Sequence, residues 1–333
     1  MFTLDPQTAL QLEQYKQQVA RVNGAQNYAA AFPIAPAVEQ KLIEVYRQMT
    51  DFLGKINIQG VKQAHGQKLG LGGNQSAAST TDTRIQPRRP THLGTLEAID
   101  DYLCTQTNSD IAYLYEVIDN WGYLPDFQTK LANLAVKIVA EDKQRVGFNG
   151  LYRAKTSNRE LNPLLQDVNI GWLEKIRAYN EERHIDGITI GASHEFKNLD
   201  ALVEMAINEL IGEQHRQANG LTAITSRNLV SDKYVGLLNQ NLSPVEATAA
   251  QALYQRQQLG SLPVDTPAFF VPNGLLITTH DNLSIYQQRG SMRRHIIDEP
   301  QWDRTTDYQS VNECYVVEDY SKTVLIENIV IEG

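Results

Sequence analysis

Gly147-Phe-Asn-Gly150, Arg153-Ala-Lys-Thr-Ser157, Asn162-Pro-Leu-Leu-Gln-Asp-Val168 and Gly171-Trp-Leu173 form one almost continuous stretch of this 333-residue chain. Immediately before it, residues 125–146 carry the strongest helical pattern in the sequence. Pro125 and Asp126 suit a first turn. Phe127, Leu131, Leu134, Ile138 and Val146 mark the expected buried face, with Lys130, Lys137, Glu141 and Lys143 placed elsewhere. Gly147 can end the helix. Some 20 residues at about 1.5 Å each predict a rod of roughly 30 Å. A second informative stretch lies near the C-terminus: Asp281-Asn-Leu-Ser-Ile-Tyr286, then Arg293-Arg294, then Tyr315-Val-Val-Glu-Asp-Tyr320. Neither stretch contains a catalytic constellation.

Working outward, residues 6–22 read as an amphipathic helix with Leu12, Tyr15, Val19 and Val22 on one face, stopped by Asn23-Gly24. Residues 25–36 are Ala-rich with two prolines and read as a linker. A second helix is expected at 37–53 on the seam Val38, Leu42, Val45, Met49 and Phe52, followed by a strand through Ile56, Ile58 and Val61. Residues 65–92 are rich in Gly, Ser, Thr, Gln and Arg and poor in large apolar groups, which predicts a projecting excursion. Strands are expected at 95–106 and 109–118. Further helices are expected at 169–182, 198–212, 226–240 and 244–258, and strands at 221–225, 262–265, 275–279, 283–287, 311–320 and 323–331.

The length allows about two domains, or one large domain with long excursions. Hydrophobic content of 42% and charged content of 21% are those of a globular chain with a sizeable core. No run approaches the roughly 18 apolar residues of a membrane span, and the N-terminus has no secretory pattern. A net charge of -9 is the reverse of a nucleic-acid reader's basic surplus. Cys104 and Cys314 read as two free thiols, far apart in sequence.

Enzyme motifs fail one by one. Gly70-Leu-Gly-Gly-Asn-Gln75 lacks the third glycine of a dinucleotide loop and the Lys-Ser/Thr of a phosphate loop. Gly191-Ala-Ser-His-Glu195 has Glu where a nucleophile elbow needs Gly. His194-Glu195 has Asn198 where a zinc helix needs its second His. The seven histidines are scattered. Asp100-Asp101 and Glu318-Asp319 are strand neighbours that point to opposite faces. Arg84, Arg88 and Arg89 cluster with Pro87 and Pro90 in the polar excursion, so its tip is a candidate for docking on an acidic patch of a neighbouring subunit.

Taken together, the two motif stretches resemble the major capsid proteins of peduovirus-type tailed phages. Thr50-Asp-Phe-Leu-Gly-Lys-Ile-Asn-Ile58, Ser79-Thr-Thr-Asp-Thr83, Asp232-Lys-Tyr234 and Leu262-Pro263 fit the same family in the same order, from about residue 36 to 331. The resemblance implies an α+β, HK97-like capsid fold. It implies an N-terminal assembly segment at 1–35, an N-arm at 36–64 and an extended two-stranded loop at 65–118. A peripheral domain with a spine helix is expected at 119–164 and 281–333, and an axial domain at 165–280.

The function implied is a structural shell protein of the virion, built from hexamers and pentamers in the host cytoplasm, with no cofactor, metal or catalytic residues. Implied partners are further copies of itself, a scaffolding protein with its prohead protease, a portal protein, and packaged double-stranded DNA held without sequence-specific contacts. No membrane is involved. The family resemblance also implies N-terminal trimming, which aligns near Phe32-Pro33. The alternatives are an encapsulin-like cargo shell of the same fold and an unrecognised α/β hydrolase.

Overall fold

A computed structural model of the chain describes residues 6–23, 25, 32–68, 78–90, 101–121, 124, 126–238 and 258–332. The expected helix at 244–258 lies almost wholly outside these residues, as do the Gly70–Gln75 turn and the start of the strand at 95–106. The chain opens with α1 (Pro6–Val22), β1 (Phe32–Pro33), α2 (Pro36–Met49), α3 (Asp51–Lys55) and β2 (Asn57–Val61). It continues through β3 (His65–Gln67), β4 (Asp101–Leu103), β5 (Thr105–Asn108), β6 (Ile111–Leu114), α4 (Tyr115–Trp121) and α5 (Phe127–Asn149). Next come α6 (Trp172–Tyr179), β7 (His184–Asp186), β8 (Thr189–Ile190), α7 (Leu199–Met205), β9 (Leu221–Thr225) and α8 (Arg227–Leu238). The last third holds β10 (Gln258–Leu259), β11 (Leu262–Asp265), β12 (Leu275–Thr279), β13 (Leu283–Gln288) and β14 (Arg293–Glu299). It ends with β15 (Arg304–Val317), β16 (Val324–Glu327) and β17 (Val330–Ile331).

Two sheets organise the molecule. In the first, the 14-residue β15 is the hub. Along one edge it pairs with β14 and then β13, and β2 continues beyond β13; along the other it pairs with β6 and β5. The second has the order β10-β11-β9-β12-β16-β7. Its middle strands, β9 and β12, are buried along their whole length, which is why they read as continuous runs such as Leu275-Leu-Ile-Thr-Thr279. The C-terminal strands expected side by side at 311–320 and 323–331 part company. β15 stays in the first sheet, β16 enters the second, and β17 pairs with β8.

Several expectations need correction. The helix expected at 37–53 breaks at Thr50, whose extended backbone and side chain cap α3 through the Leu53 N–H at 3.2 Å. The strand expected at 109–118 ends at Leu114, and α4 follows. Val22 of α1 is exposed. On α5, Leu134 is 42% and Ile138 37% exposed, whereas Lys143 is only 4% exposed. The buried stripe runs through Phe127, Leu131, Ala135, Val139, Ala140, Lys143, Val146 and Gly147. Its small residues let neighbouring elements come close, and a search for large apolar groups cannot see them. Lys143 is admitted because it pairs with the buried Glu313 of β15.

Candidate functional site

The two motif stretches meet at Trp172. Gly147 lies under its ring: a Cβ there would sit 2.1 Å from Trp172 Cζ3. Gly150 and Gly171 bring two backbones together, with the Gly171 N–H donating to Gly150 O at 2.9 Å. A Cβ on Gly171 would lie 2.4 Å from the Val146 carbonyl oxygen. The indole Nε1–H then donates to Ser284 O of β13 at 2.9 Å, and Tyr315 of β15 stands edge-on to the ring at 5.3 Å. Gly147 lies inside α5 rather than ending it as expected; Gly150 caps α5, Gly171 seats α6, and the tryptophan fastens both helices to the strands that carry the C-terminal motif.

Within that motif the polar residues bind one another. Asn282 Nδ2 donates to Asp319 O, and Asp319 N–H donates to Asn282 Oδ1, both at 2.8 Å. Tyr286 Oη donates to Glu318 Oε1 at 2.8 Å. Arg294 of β14 grips Asp307 of β15 through Nε (2.9 Å) and Nη2 (2.6 Å), and Nη2 also donates to Tyr15 Oη of α1 at 3.1 Å. Burial pushes the Arg294 pKa down, and Asp307 more than offsets it, so the guanidinium stays charged. Within the first stretch, Asp167 accepts the Asn158 N–H at 2.6 Å, and Leu165 holds a left-handed φ of 61°.

The enzyme-like fragments have structural partners. His194 Nε2 lies 2.9 Å from Glu332 Oε2, so the imidazole beside Ser193 is engaged with a carboxylate across the fold. Asp319 caps the turn at Ser321, and Asp101 pairs loosely with His65 at 4.0 Å. Among the described residues no group of three His, Cys, Asp or Glu is placed to hold a metal, and no helix is long and apolar enough to cross a membrane.

Arg84, Arg88 and Arg89 are all exposed, and among the described residues none of them pairs with a carboxylate. A short turn at Asp82, whose Oδ1 accepts the Arg84 N–H at 3.0 Å, presents them. Phe32 is buried and pairs with Arg294, and Pro33 pairs with Arg293. Sequence reading missed a further feature. Leu151, Tyr152, Leu161, Leu164 and Ile170 are all exposed on the segment between α5 and α6. The signal was available, since five large apolar groups stand there without helical or strand periodicity.

A family model described as "Phage major capsid protein, P2 family" matches residues 11–329. The chain is 36% identical to the capsid proteins of Escherichia phage P2, over 97% of this chain and 94% of that one. The chain belongs to the P2 family of phage major capsid proteins. It is also 35% identical to the major capsid protein of Serratia phage KSP20, over 95% of each. Among solved structures, a chain of the satellite phage P4 procapsid with its size-determination protein superimposes with a TM-score of 0.82 at 33% identity, over 99% of both chains. The fold is therefore the HK97-like capsid fold expected from the motifs. As a P2-family capsid protein, the chain is a structural subunit of a phage head shell and a virion component, not an enzyme. The groups gathered at Trp172 and Arg294 accordingly fix element geometry rather than substrate.

Proposed function

We propose that the chain assembles into hexamers and pentamers around a scaffolding protein carrying a prohead protease, joins a portal protein, and encloses double-stranded DNA without sequence-specific contacts. Assembly takes place in the host cytoplasm. The observation that carries the reading is the excursion between β3 and β4. Its two ends pair antiparallel, His65 opposite Leu103, while its described tip at 78–90 carries three exposed arginines whose guanidinium groups pair with no carboxylate of the described chain. A tip of that kind suits a neighbouring subunit's acidic surface, and a net charge of -9 on every copy supplies such surfaces.

In this reading residues 1–35 serve assembly, 36–64 form the arm and 65–118 the extended loop. The peripheral part comprises 119–164 with the chain from 281 onward, and the axial part 165–280. β16 ties the end of the chain back to the axial sheet. The exposed apolar groups at 151–170 and on α5 belong to contacts between copies, which in obligate assemblies bury roughly 2,000 Å² or more. Trimming near Phe32–Pro33 requires β1 to leave β14, since Phe32 is buried there.

The test is assembly of the full chain with its phage scaffold, followed by sedimentation and electron microscopy. Arg84→Ala, Arg88→Ala and Arg89→Ala together should leave the subunit folded but lower the yield of closed particles at low salt, with the deficit shrinking as salt rises and screens the same contacts in the wild type. Normal yield across the salt range overturns the docking role. Complete shells formed equally well without scaffold overturn the scaffold dependence.

A further inference from the structure

Cys104 and Cys314 stand 210 positions apart in sequence, and their sulfurs lie 3.4 Å apart. Both are buried free thiols. The register explains the proximity. β5 and β15 pair Thr105 with Glu313, so the next step along the ladder places Cys104 directly opposite Cys314. The Cys104 N–H is committed elsewhere, to the Ala64 carbonyl at 2.6 Å. The two cysteines therefore do not exchange mutual backbone hydrogen bonds. In an antiparallel ladder that is the class of opposed residues whose Cα atoms lie about 4.5 Å apart, inside the range a disulfide spans. Only a small sulfur movement separates this contact from a covalent bond of about 2.05 Å.

We propose that Cys104 and Cys314 are a reversible dithiol–disulfide site that, when oxidised by a small peroxide, fastens the base of the 65–103 excursion to the central strand β15. The surroundings divide the roles. The two sulfurs share one S–H···S contact in which either can donate, the Cys104 S–H also reaches the Tyr286 carbonyl oxygen at 3.7 Å, and the contact with Cys314 holds the Cys104 pKa below the usual thiol value. The same interaction, with burial, pushes the Cys314 pKa up. The Lys175 ammonium of α6 is close enough to favour the thiolate further. Cys104 is the attacking sulfur. Its thiolate takes the distal oxygen of hydrogen peroxide, the O–O bond breaks, and with one proton the products are a sulfenic acid and water. The Cys314 sulfur then attacks the sulfenic sulfur, the S–O bond breaks, and the Cys314 proton leaves with the hydroxyl as a second water. Two thiols are oxidised and one peroxide is reduced to two waters.

Tyr102 stacks edge-on against Tyr286 at 5.1 Å beside the pair, so β4 and its tyrosine cover the sulfurs. A small oxidant can reach them by local opening of the short β3–β4 pairing. A reducing cytosol keeps the thiols free, and an oxidising exterior closes them. The consequence for a particle, a locked extended loop after release, rests on the shell reading; the chemistry within the subunit does not.

The experiment uses the full chain, purified reduced and then exposed to hydrogen peroxide. Thiols titrated after denaturation should fall from two to none. Intact mass should drop by two hydrogens, peptide mapping should recover Cys104 joined to Cys314, and dithiothreitol should reverse all three. The crosslink closes a long loop, so the oxidised chain should favour the folded state about 30-fold or more over the reduced chain in a denaturant titration. In Cys314→Ser, Cys104 should accumulate as a sulfenic acid trapped by dimedone. In Cys104→Ser, Cys314 should remain a thiol. The wild-type comparison needs neither variant, so misfolding of a variant leaves it intact. Two free thiols after peroxide, sulfinic acid without a crosslink, or a crosslink found only between chains would each overturn the proposal.

Discussion

Trp172 is fully buried and touched by three other aromatic rings, Phe52, Phe148 and Tyr315, at centroid distances of 6.1, 5.5 and 5.3 Å. It cannot retreat from a new neighbour. A methyl at position 147 would arrive 2.1 Å from the ring and meet a rigid wall rather than a flexible chain end. Gly147→Ala should therefore destabilise the subunit by about 1–3 kcal/mol or more, the cost of forcing groups apart in a filled core. The denaturant midpoint of the purified subunit measures it, and an unchanged midpoint contradicts the packing. The letters Gly-Phe-Asn-Gly and Gly-Trp-Leu were legible as a signature, but their reason was not. Which glycine lies beneath which ring depends on the crossing of α5 and α6, some 25 residues apart in the chain, and no local pattern encodes that crossing.

At the scale of elements, α5 separates two readings of one sequence. Leu131 is 6% and Leu134 42% exposed, so Leu131→Ala should cost about 2–5 kcal/mol while Leu134→Ala should cost less, about 1 kcal/mol, in the isolated subunit. Equal losses at both sites would restore the stripe expected from the sequence. The existence of α5, α1, β9, β12 and β13 was legible because long periodicity or a dense apolar run announces them. β14 and the first half of β15 were not. Arg293-Arg-His-Ile-Ile-Asp-Glu299 and Arg304-Thr-Thr-Asp-Tyr-Gln-Ser310 show no period-two alternation with one apolar face. They are strands because their polar groups satisfy one another across the ladder. Arg294 meets Asp307, Thr305 Oγ1 donates to Asp298 at 3.0 Å, and Thr306 Oγ1 donates to Glu299 at 2.7 Å. Alternation of apolar and polar residues finds only sheets with one oily face. The arginine cluster at the loop tip was visible because composition alone exposes it.

For the whole molecule, the telling question is how firmly the N-terminal helix is held. Leu12 and Tyr15 pack with Tyr113, Tyr115, Ile118, Phe127, Leu131 and Ile296, and Tyr15 Oη accepts a hydrogen bond from Arg294. Two buried side chains at about 1.5–3 kcal/mol each give a gross gain of roughly 3–6 kcal/mol. Against it stands the net cost of forming a 17-residue, Gln-rich helix, whose own hydrogen bonds offset most of its backbone ordering but leave it marginal by itself in water. The net hold is therefore small, so α1 should dock and release readily, as the proposed assembly role of residues 1–35 requires. Backbone amides of α1 should exchange much faster than those of α5. Deleting residues 1–22 should lower subunit stability by less than about 2 kcal/mol. The deletion should also uncover the Tyr113–Leu131 patch to a hydrophobic dye. Subunits from mature particles should begin between Tyr28 and Pro36 by mass spectrometry, after the two-residue β1 has peeled from β14. Mature particles whose subunits all retain Met1 or Phe2 would remove the trimming. Exchange protection in α1 equal to that in α5 would mean the helix is a permanent part of the core, and a protease acting downstream of it would then leave a cut but tightly bound segment.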